Sequence, residues 1–591
     1  MRNAKIVCTL GPASSSSEMI SALVEAGMSV ARINASHGEP KQLKEYFAAV
    51  RTVEDALDTP VATMLDLAGP EIRTAPMDRT ITLEEGQSVR FVPEAETGDG
   101  VIGISRSIAA AAIGDRILLD DGRLSCTVTE TNGASTIASV DRGGELDGRK
   151  GVNVPGVDLD FDIVTDRDRA QLQLLETGLI DFVAASFVTD GADIVSLQSE
   201  MESIGHEVPI IAKIERAEAV SNLSDIIDES YGIMVARGDL GVECPMEDIP
   251  LIQKRIIRRC QENGVPVITA TEMLDSMIES PRPTRAEASD VANAVLDGTD
   301  AVMLSAETAV GTDPVRVVET MDTIVREIES SSEYDELREQ RVPTYTSSRT
   351  DALSRSARNL ARDLDAEAIV ATSESGYTAL RIAKYRPSVP VVGVTLSEAV
   401  YRRMALSWGL RPHLSRVESN RAPAVIDDAV KATLADDIAT GGDTLVLLTG
   451  MMHEIEGAEL TNTVKLHVAA ETLAVGPVVV PGRATGAICR VDDGDLSILP
   501  EEAIIVLDRS FDAELTGPFD RIRGIISAES GLTGYPALLA REIDVPMISD
   551  ASMPDDISDG TIVTLDAERG VVYDGDISAP SLLDERRNGI Q

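Results

Sequence analysis

Eight short β-rich runs, each apolar almost without a break, recur through the first half of the chain, at 4–10, 29–34, 60–67, 180–187, 208–215, 232–237, 265–270 and 300–304. Most are followed by a helix-like stretch. A half-solvated strand alternates polar and apolar residues, so an unbroken apolar run belongs in a parallel sheet covered on both faces. Eight such βα units predict a (β/α)8 barrel, a fold that keeps its chemistry at the C-terminal ends of the strands. Polar residues fall at those ends: Thr9 with Pro12, Arg32 with Asn34, Asp66, Ser186, Lys213 with Glu215, Arg237 with Asp239, Thr271 and Ser305. One of these alone would be a cap or a solvated loop residue. Eight sets on one rim predict a site.

Two of the runs indicate what kind of site. In Ile210-Ile-Ala-Lys-Ile-Glu215 the side chains alternate along an extended strand, so Lys213 and Glu215 point the same way. Ile233-Met-Val-Ala-Arg-Gly-Asp239 is apolar until it stops at a turn-forming Arg-Gly-Asp. Two strand ends thus bring a lysine, an arginine and two carboxylates to one rim. That set can hold a divalent metal on a phosphorylated substrate and neutralise a phosphoryl group in transfer. From these two segments alone, a pair of rim salt bridges is an equally good reading. The rest of the chain decides between them.

Residues 74–156 interrupt the βα rhythm with short strands and turns such as Asp120-Asp-Gly122 and Asp141-Arg-Gly-Gly144, which predicts a small β-barrel domain inserted into the barrel, a lid over the site or else a decorative insertion. The barrel is then 1–73 with 157–337. A polar stretch at 338–351 is expected to be a linker. Helix and strand alternate again over 352–470, a second α/β domain with strands near 368–372, 389–395 and 444–449. Its loop Thr372-Ser-Glu-Ser-Gly-Tyr-Thr378 opens a helix; such a loop cradles a phosphate on its amides or simply caps the helix. A compact mixed α/β unit is expected over 475–591.

The chain of 591 residues carries 99 acidic against 53 basic side chains, a net charge of −46, with only 9 Lys beside 44 Arg. The acids are spread through segments of good apolar periodicity. They predict an acidic folded surface of the kind associated with salt-rich cytoplasms, where screening suppresses self-repulsion, rather than a disordered tail. Such a surface repels phosphate backbones and disfavours nucleic-acid binding. Arg and Lys clustered at the site must outweigh the same field at short range. No apolar run reaches the roughly 18 residues of a membrane span, and the N-terminus resembles a first strand rather than a signal peptide. Cys8, Cys126, Cys244, Cys260 and Cys489 form no CxxC pair, which argues against a disulfide scaffold or a zinc site and fits a reducing cytoplasm.

Several segments together carry a family resemblance. They are Lys5-Ile-Val-Cys-Thr-Leu-Gly-Pro-Ala-Ser14, Ala26-Gly-Met-Ser-Val-Ala-Arg-Ile-Asn-Ala-Ser-His-Gly38, Gly69-Pro-Glu-Ile-Arg-Thr74 and Ala212-Lys-Ile-Glu215. Residues 233–241, Ala270-Thr-Glu-Met-Leu-Asp-Ser-Met277, Pro281-Arg-Pro-Thr-Arg-Ala-Glu287 and Ala301-Val-Met-Leu-Ser-Ala-Glu-Thr308 continue them in order. Residues 1–330 so marked resemble the pyruvate kinases. The resemblance implies transfer of the phosphoryl group of phosphoenolpyruvate to ADP, giving ATP and pyruvate, the last step of glycolysis.

By that resemblance Glu215 and Asp239 hold Mg²⁺ (or Mn²⁺), Lys213 faces the transferring phosphoryl group and Arg32 clamps its oxygens. Ser186 and Arg237 line the substrate, and the amides of Gly238 and Asp239 with the Thr271 hydroxyl receive its carboxylate. Thr271 and Ser305 belong to a proton relay to the enolate carbon. Pro12, Asn34, His37, Arg73 and Arg167 line the nucleotide, and Asn34, Ser36, Asp66 and the Leu67 carbonyl hold K⁺. Glu71 is the residue type of the K⁺-dependent enzymes, although Leu67-Ala68 departs from their usual Thr-Lys. Glu272 and Ala306 replace a common Gln and Gly without removing a charge that the chemistry needs. A homotetramer is implied as well. Tyr377 stands where an effector loop often has Arg, so a small phosphorylated effector is left open.

The terminal unit resembles the swivelling phosphohistidine domain of phosphoenolpyruvate-utilising enzymes through Glu529-Ser-Gly-Leu-Thr-Gly-Tyr-Pro-Ala-Leu-Leu-Ala540. The phosphorylated His of that family falls on Tyr535, so a structural or regulatory appendage is expected in place of a phosphoryl relay. The same substitution counts against an enzyme that makes phosphoenolpyruvate through a phosphohistidine. A silent sensor of phosphoenolpyruvate would gain little from keeping Lys213, Glu215, Asp239 and Thr271 together.

Overall fold

The computed structural model describes residues 2–577 apart from 99, 134, 158, 160, 344–347, 418–421, 451–460 and 555. The expected linker, second α/β domain and terminal unit therefore lie partly outside the described residues.

Eight parallel strands close on themselves: β1 (Lys5–Leu10), β2 (Val30–Asn34), β3 (Ala62–Asp66), β4 (Phe182–Ala185), β5 (Ile210–Ile214), β6 (Gly232–Ala236), β7 (Val267–Ala270) and β8 (Ala301–Leu304). β8 returns to β1 with Lys5 opposite Ala301 and Cys8 opposite Leu304. All eight expected runs are barrel strands, and their burial explains the unbroken apolar pattern. Val7, Met64, Phe182, Ile211 and Met234 fill the interior, while Ile6, Cys8, Leu65, Val183 and Val235 pack outwards under the helices. Both faces are dry, so neither tolerates alternation. Gly232 opens β6 at a close approach, where a Cβ would lie 2.7 Å from Ile211 Cδ1 and 3.2 Å from the Pro266 carbonyl oxygen.

The helices take their ends from local chemistry. Thr284 caps Arg285–Asp297 in a reciprocal box with Glu287. Gly298, at φ 96°, ends the same helix and turns the chain into β8.

Between β3 and β4 the insertion folds as an open six-stranded sheet, in the order Val152–Asn153, Arg116–Leu119, Leu124–Thr131, Thr136–Arg142, Ser88–Pro93 and Val101–Ile104, with a ribbon of Ile81–Leu83 against Gly144–Leu146. It has its own core around Phe91, Ile117 and Val128.

The chain divides into two compact units: 1–345 with 383–386 and 398–412, and 346–382 with 387–397 and 413–591. The first unit thus recruits two pieces from the middle of the expected second α/β domain. Lys5 Nζ donates to the Leu410 carbonyl at 2.7 Å. Arg402 Nε meets Asp181 at 3.0 Å, and Trp408 Nε1 donates to the Tyr334 hydroxyl at 3.0 Å. In the second unit, Val391–Thr395, Ala368–Thr372 and Thr444–Gly450 are parallel neighbours, with Thr461–Val468 antiparallel at the edge. An eight-stranded mixed sheet follows, running from Thr472–Val475 to Val571–Asp574 in sequence, with the helix Tyr535–Glu542 packed on it. Of the expected linker, 338–340 end the helix Ser332–Gln340 and 349–351 open the helix Arg349–Asp363.

Candidate active site

A chain of buried ion pairs crosses the C-terminal ends of β2, β3 and β5. Asn34 and Asp66 are register partners at the ends of β2 and β3, which puts Arg32 and Asp66 on adjoining strands. Arg32 Nε meets Asp66 Oδ2 at 2.6 Å and its Nη1 donates to Thr9 Oγ1 at 2.9 Å. Asp66 Oδ1 lies 3.4 Å from Lys213 Nζ, which also reaches Glu215 Oε1 at 2.7 Å and donates to Ser186 Oγ at 2.7 Å. The i, i+2 geometry expected of Lys213 and Glu215 becomes a direct ion pair.

Burial works against the Lys213 ammonium, but Asp66, Glu215 and Asp239 outweigh it and hold its pKa above that of an ordinary lysine. Burial likewise opposes ionisation of Asp66, and Arg32 with Lys213 reverses the effect and lowers its pKa. Glu215 is raised, first by burial and then by Asp239, with Lys213 pulling the other way. Its second oxygen accepts the Phe187 amide at 2.6 Å, and Phe187 sits at φ 60°, a conformation costly for a bulky residue and concentrated at functional sites.

The loops after β6 and β7 are locked together. Arg237 spends every donor it has: Nε on the Ala270 carbonyl (3.1 Å), Nη1 on Asp290 (2.5 Å) and Gln253 (3.4 Å), Nη2 on the Thr271 carbonyl (2.6 Å) and Met273 Sδ (2.8 Å). Arg237 thereby braces the strained turn in which Thr271 and Glu272 take φ 64° and 56°. The Gly238 amide donates to Thr271 Oγ1 at 2.8 Å, and that hydroxyl donates to the Ala270 carbonyl at 2.7 Å. Ser305 is half-buried where β8 ends, and its amide donates to Glu307 at 2.6 Å.

The remaining expected residues gather around the first three strand ends. Asn34 Oδ1 accepts the Ser36 amide at 2.9 Å, and the Leu67 carbonyl accepts Ser186 Oγ at 2.8 Å. Arg167 donates to the carbonyls of Ala35 (3.1 Å) and Ser36 (2.9 Å). Arg73 pairs with Glu71 at 2.8 Å. Pro12 and His37 are exposed. The inserted sheet reaches this rim through Asn153, whose side chain donates to Glu243 at 3.3 Å. In the second unit, the loop 372–378 behaves as a helix cap: the amides of Tyr377 and Thr378 donate to Ser375 and Ser373 hydroxyls, each at 3.3 Å.

Asp239 is exposed just after β6, with no hydrogen bond or ion pair from its carboxylate among the described residues. Its pKa is raised, first by the protein packed around it and then by Glu71, Asp121 and Asp66, with Lys213 opposing. An unpaired carboxylate crowded by others is a position that a cation would relieve. Among the described residues no three His, Cys, Asp or Glu side chains form a ready-made metal cage. Two carboxylates that leave coordination places for waters and substrate oxygens suit Mg²⁺. Asn34, Ser36, Asp66 and the Leu67 carbonyl are all oxygen donors, as K⁺ requires.

Two supports escaped the sequence reading. Asp168 is fully buried and accepts the amides of Ala68 and Gly69 at 3.1 and 3.3 Å, fixing the turn after β3. The Thr165-x-x-Asp168 capping box was its only sequence signal. Glu307, also buried, ties Leu274 to Ser305 through their amides at 3.2 and 2.6 Å. Only its place in a matched motif distinguished it.

A barrel rim with an ammonium held charged between two carboxylates, an arginine on one of them and a further carboxylate left unpaired has the groups that a phosphotransferase uses. The comparisons agree. Family models match the pyruvate kinase barrel domain over residues 1–318, the pyruvate kinase alpha/beta domain over 351–467 and the mobile domain of PEP-utilising enzymes over 499–570. A pyruvate kinase of Geobacillus stearothermophilus is 39% identical across 98% of this chain and 99% of its own. One from Sporosarcina psychrophila is 38% identical across 98% and 100%. The chain belongs to the pyruvate kinase family.

Proposed function

We propose that the rim transfers the phosphoryl group of phosphoenolpyruvate to ADP and releases pyruvate and ATP. The observation that carries this reading is the buried run Arg32–Asp66–Lys213–Glu215 ending beside the unpaired Asp239. Arg32 spends Nε and Nη1 on protein, and its Nη2 donors remain for phosphoryl oxygens. Lys213, kept charged, sits against the group in transfer as a fixed positive point that needs no reorganisation.

The amides of Gly238 and Asp239 take the substrate carboxylate. Ser186, between Lys213 and the Leu67 carbonyl, holds the ammonium in place. Thr271 and Ser305 pass a proton to the enolate carbon through water, because a hydroxyl alone is a poor acid. Pro12, Asn34, His37, Arg73 and Arg167 meet the nucleotide. Glu215 and Asp239 hold Mg²⁺ or Mn²⁺, which supplies Lewis-acid neutralisation of phosphoryl charge, and Asn34, Ser36, Asp66 and Leu67 hold K⁺.

The working division is a catalytic barrel (1–73 and 157–337), a lid (74–156), an α/β domain (352–470) and an appendage (475–591), in a cytoplasmic homotetramer. The test is coupled pyruvate formation from phosphoenolpyruvate and ADP with Mg²⁺, across rising KCl with NaCl as the matched control. Turnover that climbs with KCl beyond NaCl supports both the reaction and the K⁺ residues. Equal turnover removes specific K⁺ activation, and no turnover from folded protein sinks the reaction.

A further inference from the structure

Thr9 stands at the C-terminal end of β1, and the proposed reaction gives it no part. The strand Lys5–Leu10 is buried along its whole length, and Thr9 is only 4% exposed. Packing alone has no use for its hydroxyl. Valine has the same shape, suits a strand equally well and carries nothing polar into a dry interior. The hydroxyl is nevertheless engaged on both sides. Thr9 and Arg32 are register partners on the adjoining strands β1 and β2. Arg32 Nη1 donates to Thr9 Oγ1 at 2.9 Å, and Oγ1 donates to the Leu304 carbonyl of β8 at 2.9 Å.

Chemistry fixes the direction of both bonds. A guanidinium only donates and a carbonyl only accepts. Thr9 therefore spends its one proton on Leu304 and turns a lone pair towards Arg32. The strand end that supplies this geometry is itself pinned, because Thr308 Oγ1 donates to the Thr9 carbonyl at 2.9 Å. On its other side Arg32 gives Nε to Asp66 of β3 at 2.6 Å. A guanidinium held at one nitrogen can still turn about that contact. Held at two nitrogens from two different strands, it cannot, and Nη2 is left in a fixed place.

We propose that Thr9 is a positioning residue for phosphoryl transfer: through Arg32 it holds the guanidinium so that Nη2 meets the phosphoryl oxygens without reorganisation. The inference rests on the reading of Arg32 as the phosphoryl clamp. A preorganised donor costs nothing to order at the moment of reaction, and misplacing such a group by about 1 Å can cost about 10²-fold in rate. Leu304 immediately precedes Ser305, so the same hydroxyl ties the clamp to the strand end proposed to serve the proton relay.

The test is a double-mutant cycle in the full chain, made of Thr9→Val, Arg32→Ala and the two together, with Thr9→Ser as the conservative variant. It is read in kcat/KM for phosphoenolpyruvate and, independently of turnover, in the dissociation constant for phosphoenolpyruvate with Mg²⁺. Thr9→Val should lower kcat/KM by about tenfold or more and weaken binding in the same direction, whereas Thr9→Ser should stay within about twofold of wild type. In the Arg32→Ala background Thr9→Val should cost nothing further in either readout, because nothing is left for it to position. A Thr9 that served only the fold would cost the same factor in both backgrounds. Circular dichroism checks the fold of each variant, and Thr9→Ala replaces Thr9→Val should the latter not fold. Wild-type kcat/KM in Thr9→Val, failure of Thr9→Ser to restore it, or an equal loss in both backgrounds overturns the proposal and leaves Arg32 its role. Unchanged turnover and binding in Arg32→Ala alone overturns the clamp, and the proposal with it.

Discussion

The amide of Gly238 donates to Thr271 Oγ1 across 2.8 Å, joining the end of β6 to the end of β7. The group proposed to receive the substrate carboxylate is therefore covered by the hydroxyl proposed to relay the proton. A carboxylate that takes the amide must release that hydroxyl, so binding and readiness for proton transfer become one event. Arg237 keeps the Thr271 carbonyl fixed meanwhile.

Thr271→Val keeps the shape and removes the oxygen. We expect kcat to fall by about 10²-fold, the lower end of what a positioned proton-transfer group supplies. Affinity for phosphoenolpyruvate should hold or tighten, because the Gly238 amide is uncovered. Steady-state kinetics with a separate binding titration measures both, and an unchanged kcat would remove Thr271 from the relay.

Lys213→Met deletes the cation between Asp66 and Glu215. Phosphoryl transfer should drop by about 10³-fold or more, since a preorganised charge is lost from the transition state. Substrate binding should change only a few-fold, with Arg32 and the Gly238 and Asp239 amides still present. Two buried carboxylates lose their shared partner, so the barrel should unfold with about 3 kcal/mol less resistance. Denaturant melts alongside activity separate the two effects, and turnover equal to wild type would sink the role given to Lys213.

Most of the barrel was legible because its physics is local. Strands dry on both faces must be apolar throughout, and a rim must carry its polar residues at strand ends, so all eight strands and the Lys213–Glu215 pairing followed from spacing. What escaped depends on long-range closure. Nothing near Arg237 announces that its five donors are taken up by residues between 253 and 290. Nothing at 398–412 announces that this segment belongs with the barrel, because its anchors, Asp181 and Lys5, lie far away in sequence. Asp168 and Glu307 escaped for the same reason: a buried carboxylate that collects amides from distant turns looks like any acid in an acidic chain.

His467, on the edge strand Thr461–Val468, gives the second unit a pH dependence. Burial, reinforced by Lys465 and Arg569, lowers its pKa to about 4, and its Nε2 has no partner. An unfolded histidine titrates near 6.5. Protons thus prefer the unfolded chain, so this contribution is intact above about pH 6.5 and drains away as pH falls towards 4. The loss, discounted for partial exposure, is about 2 kcal/mol. His467→Gln removes the titration, so its denaturation midpoint at constant KCl should fall less than wild type between pH 7 and 4.5. Parallel pH dependences would show that His467 contributes nothing.

Tyr535 begins the helix Tyr535–Glu542 at the place where the resembled mobile domain carries a phosphorylated histidine. Its hydroxyl is already engaged, accepting the Leu515 amide at 3.2 Å, and the phenol offers no nitrogen nucleophile. The helix start nonetheless exposes Leu532 and Leu538, at 53% and 57%, so the surface around the position remains open. If the appendage serves structure or regulation, incubation with phosphoenolpyruvate and Mg²⁺ followed by phosphopeptide mass spectrometry should find no label in 475–591. Tyr535→Phe should leave turnover within twofold. Tyr535→His, which restores the imidazole, should still acquire no label, because phosphoryl capture also needs a partner site that presents the phosphate to it. Label on the wild-type segment would make the appendage a phosphoryl carrier, and label on Tyr535→His alone would show that only the imidazole is missing.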